Sequence, residues 1–485
     1  DHRDLHSFPT RRSSDLFHVM RLNVFFLGDG YTLISVYGVE GSFIRQWPEP
    51  GSSLLLQAVP DFLGGESRSA FTVAAQLLAV VSGGVTVFAL LSIPRYVARE
   101  VTGRVALTVT LVFSGAVLLF FGYVEYYPLL WAAGTLYFLM ALRYLSTGRG
   151  LLWTFVLLAG AALMHLQAVV LVPGMLVLLV QRYNAKAAEG AASKWTTWRH
   201  VLLAVFAAAA AGWAAGAVVA PGIVLPLTAS GSVMPGYALF SGMHLIDIVN
   251  EALLLFPGLM ILLAAILASQ EAVVRNVRTL FLIVCAVGAG AFVLDVDPIL
   301  GMGRDWDLMS FVLLPAVLAV FSSFEPRIAS LSHTKIVAYA VVCLMLTGSY
   351  IAVNYRSQAA EERFSSLLQL YDRKDESGWA IFTYYFLNDY RAAEAQQLAR
   401  EMLKREIRPA EAYHVLGLVA KAQRQYAEAE QLLVEALRRR PNRARWLNDL
   451  GQVYVEMGDY EQAKAVLSQA RDRKSTRLNS SHGKL

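Results

Sequence analysis

Four short polar stretches interrupt an otherwise apolar chain, and each carries a side chain able to do chemistry. The first is Gly28-Asp29-Gly30. Glycine on both sides lets the backbone turn sharply and leaves the carboxylate unshielded. Asp29 either shapes that turn or offers a carboxylate at a lipid–water boundary. The second is Gly122-Tyr123-Val124-Glu125-Tyr126-Tyr127. Glu125, beside Tyr126, can bind sugar hydroxyls or a metal, or it is a solvated acid in an interfacial aromatic belt. The third is His165, in a tight turn between two short apolar helices. It is either a functional group or a structural hydrogen-bonding residue. The fourth runs from Asp295-Val296-Asp297-Pro298 to Gly303-Arg304-Asp305-Trp306-Asp307. A guanidinium presents a fork suited to phosphate oxygens, and Asp305 or Asp307 can aim it. The plainer reading is an Arg–Asp pair that orders its own loop.

The elements that must position these groups are membrane helices. The chain is 56% hydrophobic and 16% charged, far from a soluble average. From Phe71 to Val353 the pattern predicts about ten spans, each of ~17–25 residues or a shorter helix of a hairpin. They are Phe71–Ile93, Val105–Phe121, Leu129–Leu145, Leu151–Met164, Ala168–Val180, Val201–Ala220, Glu251–Ala268, Leu280–Leu294, Leu308–Phe321 and Ile336–Val353. Alternate loops then collect the basic residues, among them Arg95, Arg99, Arg143, Arg182, Lys194, Arg275 and Arg327. In the intervening loops Arg304 is the only Lys or Arg. The basic loops are therefore expected in the cytoplasm and all four polar stretches outside it. The net charge of +5 follows from those loops and the tail, and gives no argument for a nucleic-acid partner. Cys285 and Cys343 both fall inside predicted spans and form no disulfide framework.

Before the first span, residues 17–70 read as an outer loop. Within it Ser52–Phe62 is apolar but short and, with Trp47 ahead of it, reads as an interfacial helix. Because Arg21 onward reads as outer loop, a membrane helix is expected before Phe17. After Val353 the composition turns to Glu, Arg, Gln and Ala at helical spacing. Leu416-Gly417, Ala429, Ala436 and Pro441 are followed by Leu450-Gly451, Tyr454, Ala463 and Ala470. Gly417 and Gly451 stand 34 residues apart, the unit length of the tetratricopeptide repeat. A weaker copy has Trp379 and Ala395. Residues 354–471 are thus expected to form a helical solenoid on the outer side.

The strings His6–Leu16 and Asp472–His482 resemble in-frame translations of short sequencing adapters. Residues 1–16 and 472–485 are set apart from the fold on that ground. There is no Gly-rich phosphate loop, Cys/His metal spacing, zinc-protease motif or nucleophile elbow. That argues against ATP-driven, zinc-protease and serine-hydrolase chemistry.

The expected fold class is therefore all-α, a polytopic helix bundle at 71–353 followed by the solenoid. Over Phe17 to Arg471 this architecture resembles the membrane glycosyltransferases of the GT-C superfamily, several of which carry tetratricopeptide repeats. Asp29 matches the acidic position that the family keeps in its first outer loop, and Ser52–Phe62 resembles the family's interfacial helices. The second acid common in that loop is absent, since Gly30 follows Asp29. The resemblance implies a polyprenyl-phosphate-linked sugar donor, a protein or glycan acceptor, and location in a bacterial inner or plasma membrane. Asp29 would serve as the base, Arg304 would stabilise the leaving phosphate, and Glu125, Tyr126, His165, Asp305 and Asp307 would contact substrate. A divalent metal stays open as a cofactor, and the repeats would hold the acceptor or a protein partner. The competing readings are an O-antigen-ligase-like or polymerase-like enzyme and a non-enzymatic scaffold that recruits partners through its repeats.

Overall fold

The computed structural model describes residues 22, 24–37, 48–62, 68–187, 227, 232, 234–267, 276–370, 375–441 and 443–482. Among them every regular element is a helix. Six helices are long and apolar enough to cross a membrane: Arg68–Val97, Tyr127–Thr147, Leu166–Asn184, Val277–Asp295, Trp306–Ser323 and His333–Tyr355. A bent pair, Gly242–Leu255 with Pro257–Leu263, passes the same test, and Val101–Val112 and Leu151–Met164 are shorter apolar helices. These correspond to all the expected spans except Val201–Ala220, which lies outside the described residues.

Helix α1 is Gly30–Tyr37 and α2 is Pro50–Phe62. The first long span is α3 (Arg68–Ser92), followed by the single turn α4 (Pro94–Val97), α5 (Val101–Val112) and a 3₁₀ turn at Gly115–Phe120. Next come α6 (Tyr127–Thr147) and α7 (Leu151–Met164), a second 3₁₀ turn at Leu166–Leu171, and α8 (Val172–Ala187). The next helices among the described residues are α9 (Gly242–Leu255), α10 (Pro257–Leu267) and α11 (Val277–Asp295). The last spans are α12 (Trp306–Ser310) with α13 (Leu314–Ser323), then the short α14 (Glu325–Ala329) and α15 (His333–Tyr355).

Local chemistry fixes the ends. Gly148 takes a left-handed conformation and stops α6. The Asn276 side chain accepts from Thr279 N (2.8 Å) and opens α11. Two expected spans are not straight. The chain turns by 110° between α9 and α10, because Pro257 has no N–H to continue the ladder and Phe256 leaves helical geometry (φ −134°, ψ 68°). The span expected at Val105–Phe121 is helical only to Val112 and ends in the 3₁₀ turn.

The interior is aromatic. Trp131, Phe138, Phe281, Trp306 and Phe311 are fully buried, with Trp131 meeting Phe311 edge-on at 5.7 Å. Trp131 Nε1 donates to Ser310 Oγ (2.9 Å), so the indole enters the core with its polar atom satisfied.

Helix α16 (Ser357–Leu370) leads into three helix pairs. They are α17 (Glu376–Asn388) with α18 (Ala392–Lys404), α19 (Pro409–Ala422) with α20 (Tyr426–Arg439), and α21 (Ala444–Met457) with α22 (Tyr460–His482). The expected small residues sit where helices touch. A Cβ on Gly417 would lie 2.8 Å from Leu433, and one on Gly451 2.6 Å from Leu467. Ala395, Ala429 and Ala463 are buried in equivalent second helices. The turns repeat as well. Tyr390, Arg424 and Gly458, 34 residues apart, all have positive φ. In each, the next N–H returns to the first helix at 2.9 Å: Arg391 to Phe386 O, Gln425 to Ala420 O, Asp459 to Tyr454 O.

Candidate functional site

Residues 24–29 run into α1 as an irregular segment wedged between the bundle and the first repeat. Phe26 carries much of that wedging. It stacks on Phe364 of α16 (4.8 Å, 13°) and meets Phe382 and Tyr385 of α17 edge-on. The turn before α6 holds the segment from the bundle side: Tyr123 Oη donates to Leu27 O, and Asp29 N donates to Glu125 Oε1. Gly28 has φ +64°, and a Cβ there would strike both Asp307 Oδ2 and Glu125 Oε1. Glycine is thus required twice, for the left-handed backbone and for the carboxyl groups that close over it.

Three of the expected site residues meet here. Glu125 is 4% exposed and Asp307 2%, while the Asp29 side chain is open to solvent. Burial pushes the Glu125 carboxyl well above its usual range, and the nearby Asp307 and Asp29 carboxylates push it further; the Asp29 and Tyr126 N–H groups oppose this. Glu125 Oε1 and Asp307 Oδ2 close over Gly28 from either side. As two carboxylates neither could donate, and Asp307 Oδ2 would be a buried acceptor without a partner. A proton held by Glu125 satisfies both. The crowding of protein around Asp29 raises its carboxyl, and so do Glu49 and Asp375, whereas the Arg304 guanidinium pulls it down. Its side chain nevertheless meets water, and that access decides that Asp29 can exchange protons with solvent or a bound hydroxyl.

Arg304 stands behind this group. It is 1% exposed. Nε donates to Phe26 O (3.1 Å), Nη2 to Gly28 O (3.1 Å), and Nη1 to Asp375 Oδ1. Its guanidinium also lies 5.3 Å over the Phe364 ring. The acid that pairs with it is Asp375, 71 residues on, rather than Asp305 or Asp307. Asp375 is also the N-cap of α17, accepting from Gly378 N (2.7 Å). Asp305 is turned back on its own loop, where Oδ2 accepts from Leu300 N (2.8 Å). Burial and the Asp307 charge push the Asp305 carboxyl well up. The donors expected to clamp a phosphate are therefore engaged with protein groups.

His165 and Tyr126 belong to a neighbouring group centred on residues 48–52. His165 Nδ1 accepts from Gln167 N (3.1 Å) and caps the second 3₁₀ turn. Its Nε2 lies 3.2 Å from Glu49 Oε1, but out of line for a hydrogen bond. The Tyr127 ring leans on the imidazole at 4.9 Å. Ser52 Oγ donates to Met164 O (2.8 Å) and reaches Tyr126 O (3.4 Å), and Leu166 N donates to Pro48 O (2.7 Å). The N-terminal end of α2 is thus docked on the His165 turn. Sequence reasoning missed Glu49 and Asp375. Asp375-Glu376-Ser377-Gly378 carries the pattern of a helix start, which pointed to a cap but not to its partner.

Among the described residues no group of three or more His, Cys, Asp or Glu side chains is arranged to hold a metal ion. What the cluster offers is one solvent-open carboxylate on a rigid turn, with a proton-holding carboxyl beneath it and a fixed positive charge behind. That arrangement suits removal of a proton from a weakly acidic hydroxyl.

Residues 420–479 match the tetratricopeptide repeat family. No curated protein matches the chain. The match covers the end of α19, then α20, α21 and most of α22, and supports a role for the tail in binding protein.

Proposed function

We propose that the chain is an integral-membrane glycosyltransferase that moves a sugar from a polyprenyl-phosphate donor to a protein or glycan acceptor on the extracytoplasmic face. The observation that carries this reading is the solvent-open Asp29, held through its own N–H by Glu125, in a bundle of membrane-length helices. Asp29 takes the proton of an acceptor hydroxyl as that oxygen bonds to the anomeric carbon. The bond from that carbon to the donor phosphate oxygen breaks, and the lipid phosphate leaves with the electron pair. Arg304 acts from behind, fixing the Gly28 carbonyl and favouring the ionised form of Asp29, instead of touching the donor. Glu125 and Asp307 shape the floor, and His165 and Tyr126 line the neighbouring docking region of α2. The outward orientation rests on the basic loops.

The decisive assay uses the full chain in lipid vesicles with a polyprenyl-phosphate hexose and acceptor, following release of polyprenyl phosphate together with glycosylated product. Release above a protein-free control supports the reading. A second reading, a non-enzymatic scaffold, is favoured by the tetratricopeptide match at 420–479. It requires no turnover in that assay and stable capture of a protein by the tail.

A further inference from the structure

The tail touches the loop that presents Asp29 through more than surface contact. Arg304 uses Nε on Phe26 O, Nη2 on Gly28 O and Nη1 on Asp375. The pair is 1% and 3% exposed. Asp375 in turn fixes the first turn of α17 through Gly378 N and Ser377 Oγ (3.0 Å). Phe26, two residues before Gly28, is buried in one cluster with Phe364, Trp379, Phe382 and Phe386. A charge buried this deeply persists only when paired, and loss of one partner leaves the other uncompensated. The placement of α17 and the placement of the Asp29 turn are therefore parts of one network.

We propose that Asp375 is a positioning residue for Asp29: through Arg304 it ties the first repeat helix to the turn that presents the carboxylate, so the repeat tail is a component of the site. This rests on Asp29 being the reacting carboxylate, but its test needs no turnover. The charged and titratable groups that face Asp29 are Glu49 ahead of α2, Glu125 ahead of α6, Arg304, Asp305 and Asp307 around the start of α12, and Asp375 at α17.

The test is carbodiimide labelling of Asp29 against pH in the full chain, read by mass spectrometry, with amide exchange on the same samples. The variants are Asp375→Asn, which keeps a capping side chain, Arg304→Gln, and the two combined. Removing the Asp375 charge takes away a repulsive neighbour, so the Asp29 midpoint falls. Removing the Arg304 charge takes away an attractive one, so it rises. Each shift is expected to be about half a pH unit or more. Amide exchange in residues 24–37 accelerates about tenfold or more in each variant, while 409–439 stays protected. Midpoints that stay put or move in the same direction, or exchange that rises evenly along the chain, overturn the proposal. The double variant leaves no unpaired charge and covers a single variant that fails to fold. Its midpoint is expected near wild type with the loop still fast, and wild-type protection of its loop overturns the proposal equally. None of these outcomes depends on whether sugar is transferred.

Discussion

Gly28 and Arg304 hold each other at both backbone and side chain: Gly28 N donates to Arg304 O (2.8 Å), and Arg304 Nη2 donates back to Gly28 O (3.1 Å). This reciprocal pair sets the direction in which Asp29 leaves the turn. Gly28→Ala adds a Cβ to a left-handed residue at the point where Asp307 and Glu125 meet. It should destabilise the protein by about 2 kcal/mol or more. A melting temperature at or above wild type would show that the turn relaxes freely.

Glu125 gives stability a pH dependence of known sign. Its carboxyl is raised by burial and by neighbouring acids, so the folded protein holds that proton more tightly than the unfolded chain. The contribution is fully present below the ordinary carboxylate range and is lost as pH rises through the raised value. Glu125→Gln cannot ionise, yet its amide oxygen can still accept from Asp29 N. Melting temperature should then fall less steeply with rising pH in the variant than in wild type. Parallel curves would mean that Glu125 is already ionised in the fold.

Much of the fold was legible in the sequence, and less of the site. Spans announce themselves through length and apolarity, and the solenoid through Gly417 and Gly451, whose missing side chains admit Leu433 and Leu467. The 110° break at Phe256-Pro257 is signalled by the proline, but the apolar run around it reads as one continuous span. The meeting of Asp29 with Glu125 spans 96 residues, and no local pattern encodes it. The acids beside Arg304 looked like its partners because they are near in sequence. Asp305 instead turns onto Leu300 N, which leaves the guanidinium to Asp375.

The repeats contain removable strain. Arg424 occupies a left-handed turn (φ 61°) that Gly458 fills in the next repeat. Arg424→Gly should stabilise the protein by about 1 kcal/mol and leave amide exchange in residues 24–37 unchanged. A destabilised variant would mean that the Arg424 side chain contributes more than its backbone costs.

Orientation is open to a direct check. A single cysteine introduced at an exposed position in the same repeat as Gly417, such as Arg424, in a Cys285→Ala, Cys343→Ala background should react with a membrane-impermeant maleimide in intact cells. One introduced at Arg149 should react only after permeabilisation. The reverse pattern would place the tail and the Asp29 turn in the cytoplasm.

The central claim is that Asp29 is the base in sugar transfer, and Asp29→Asn tests it most directly. The amide keeps size and the backbone bonds to Glu125 and Leu33 but cannot take a proton. In vesicles supplied with polyprenyl-phosphate hexose and acceptor, wild-type protein should release polyprenyl phosphate and form product. Asp29→Asn, inserted and folded to the same extent, should do so ~10²–10⁴-fold more slowly. Transfer by the variant at the wild-type rate would reduce Asp29 to a turn residue and contradict the account.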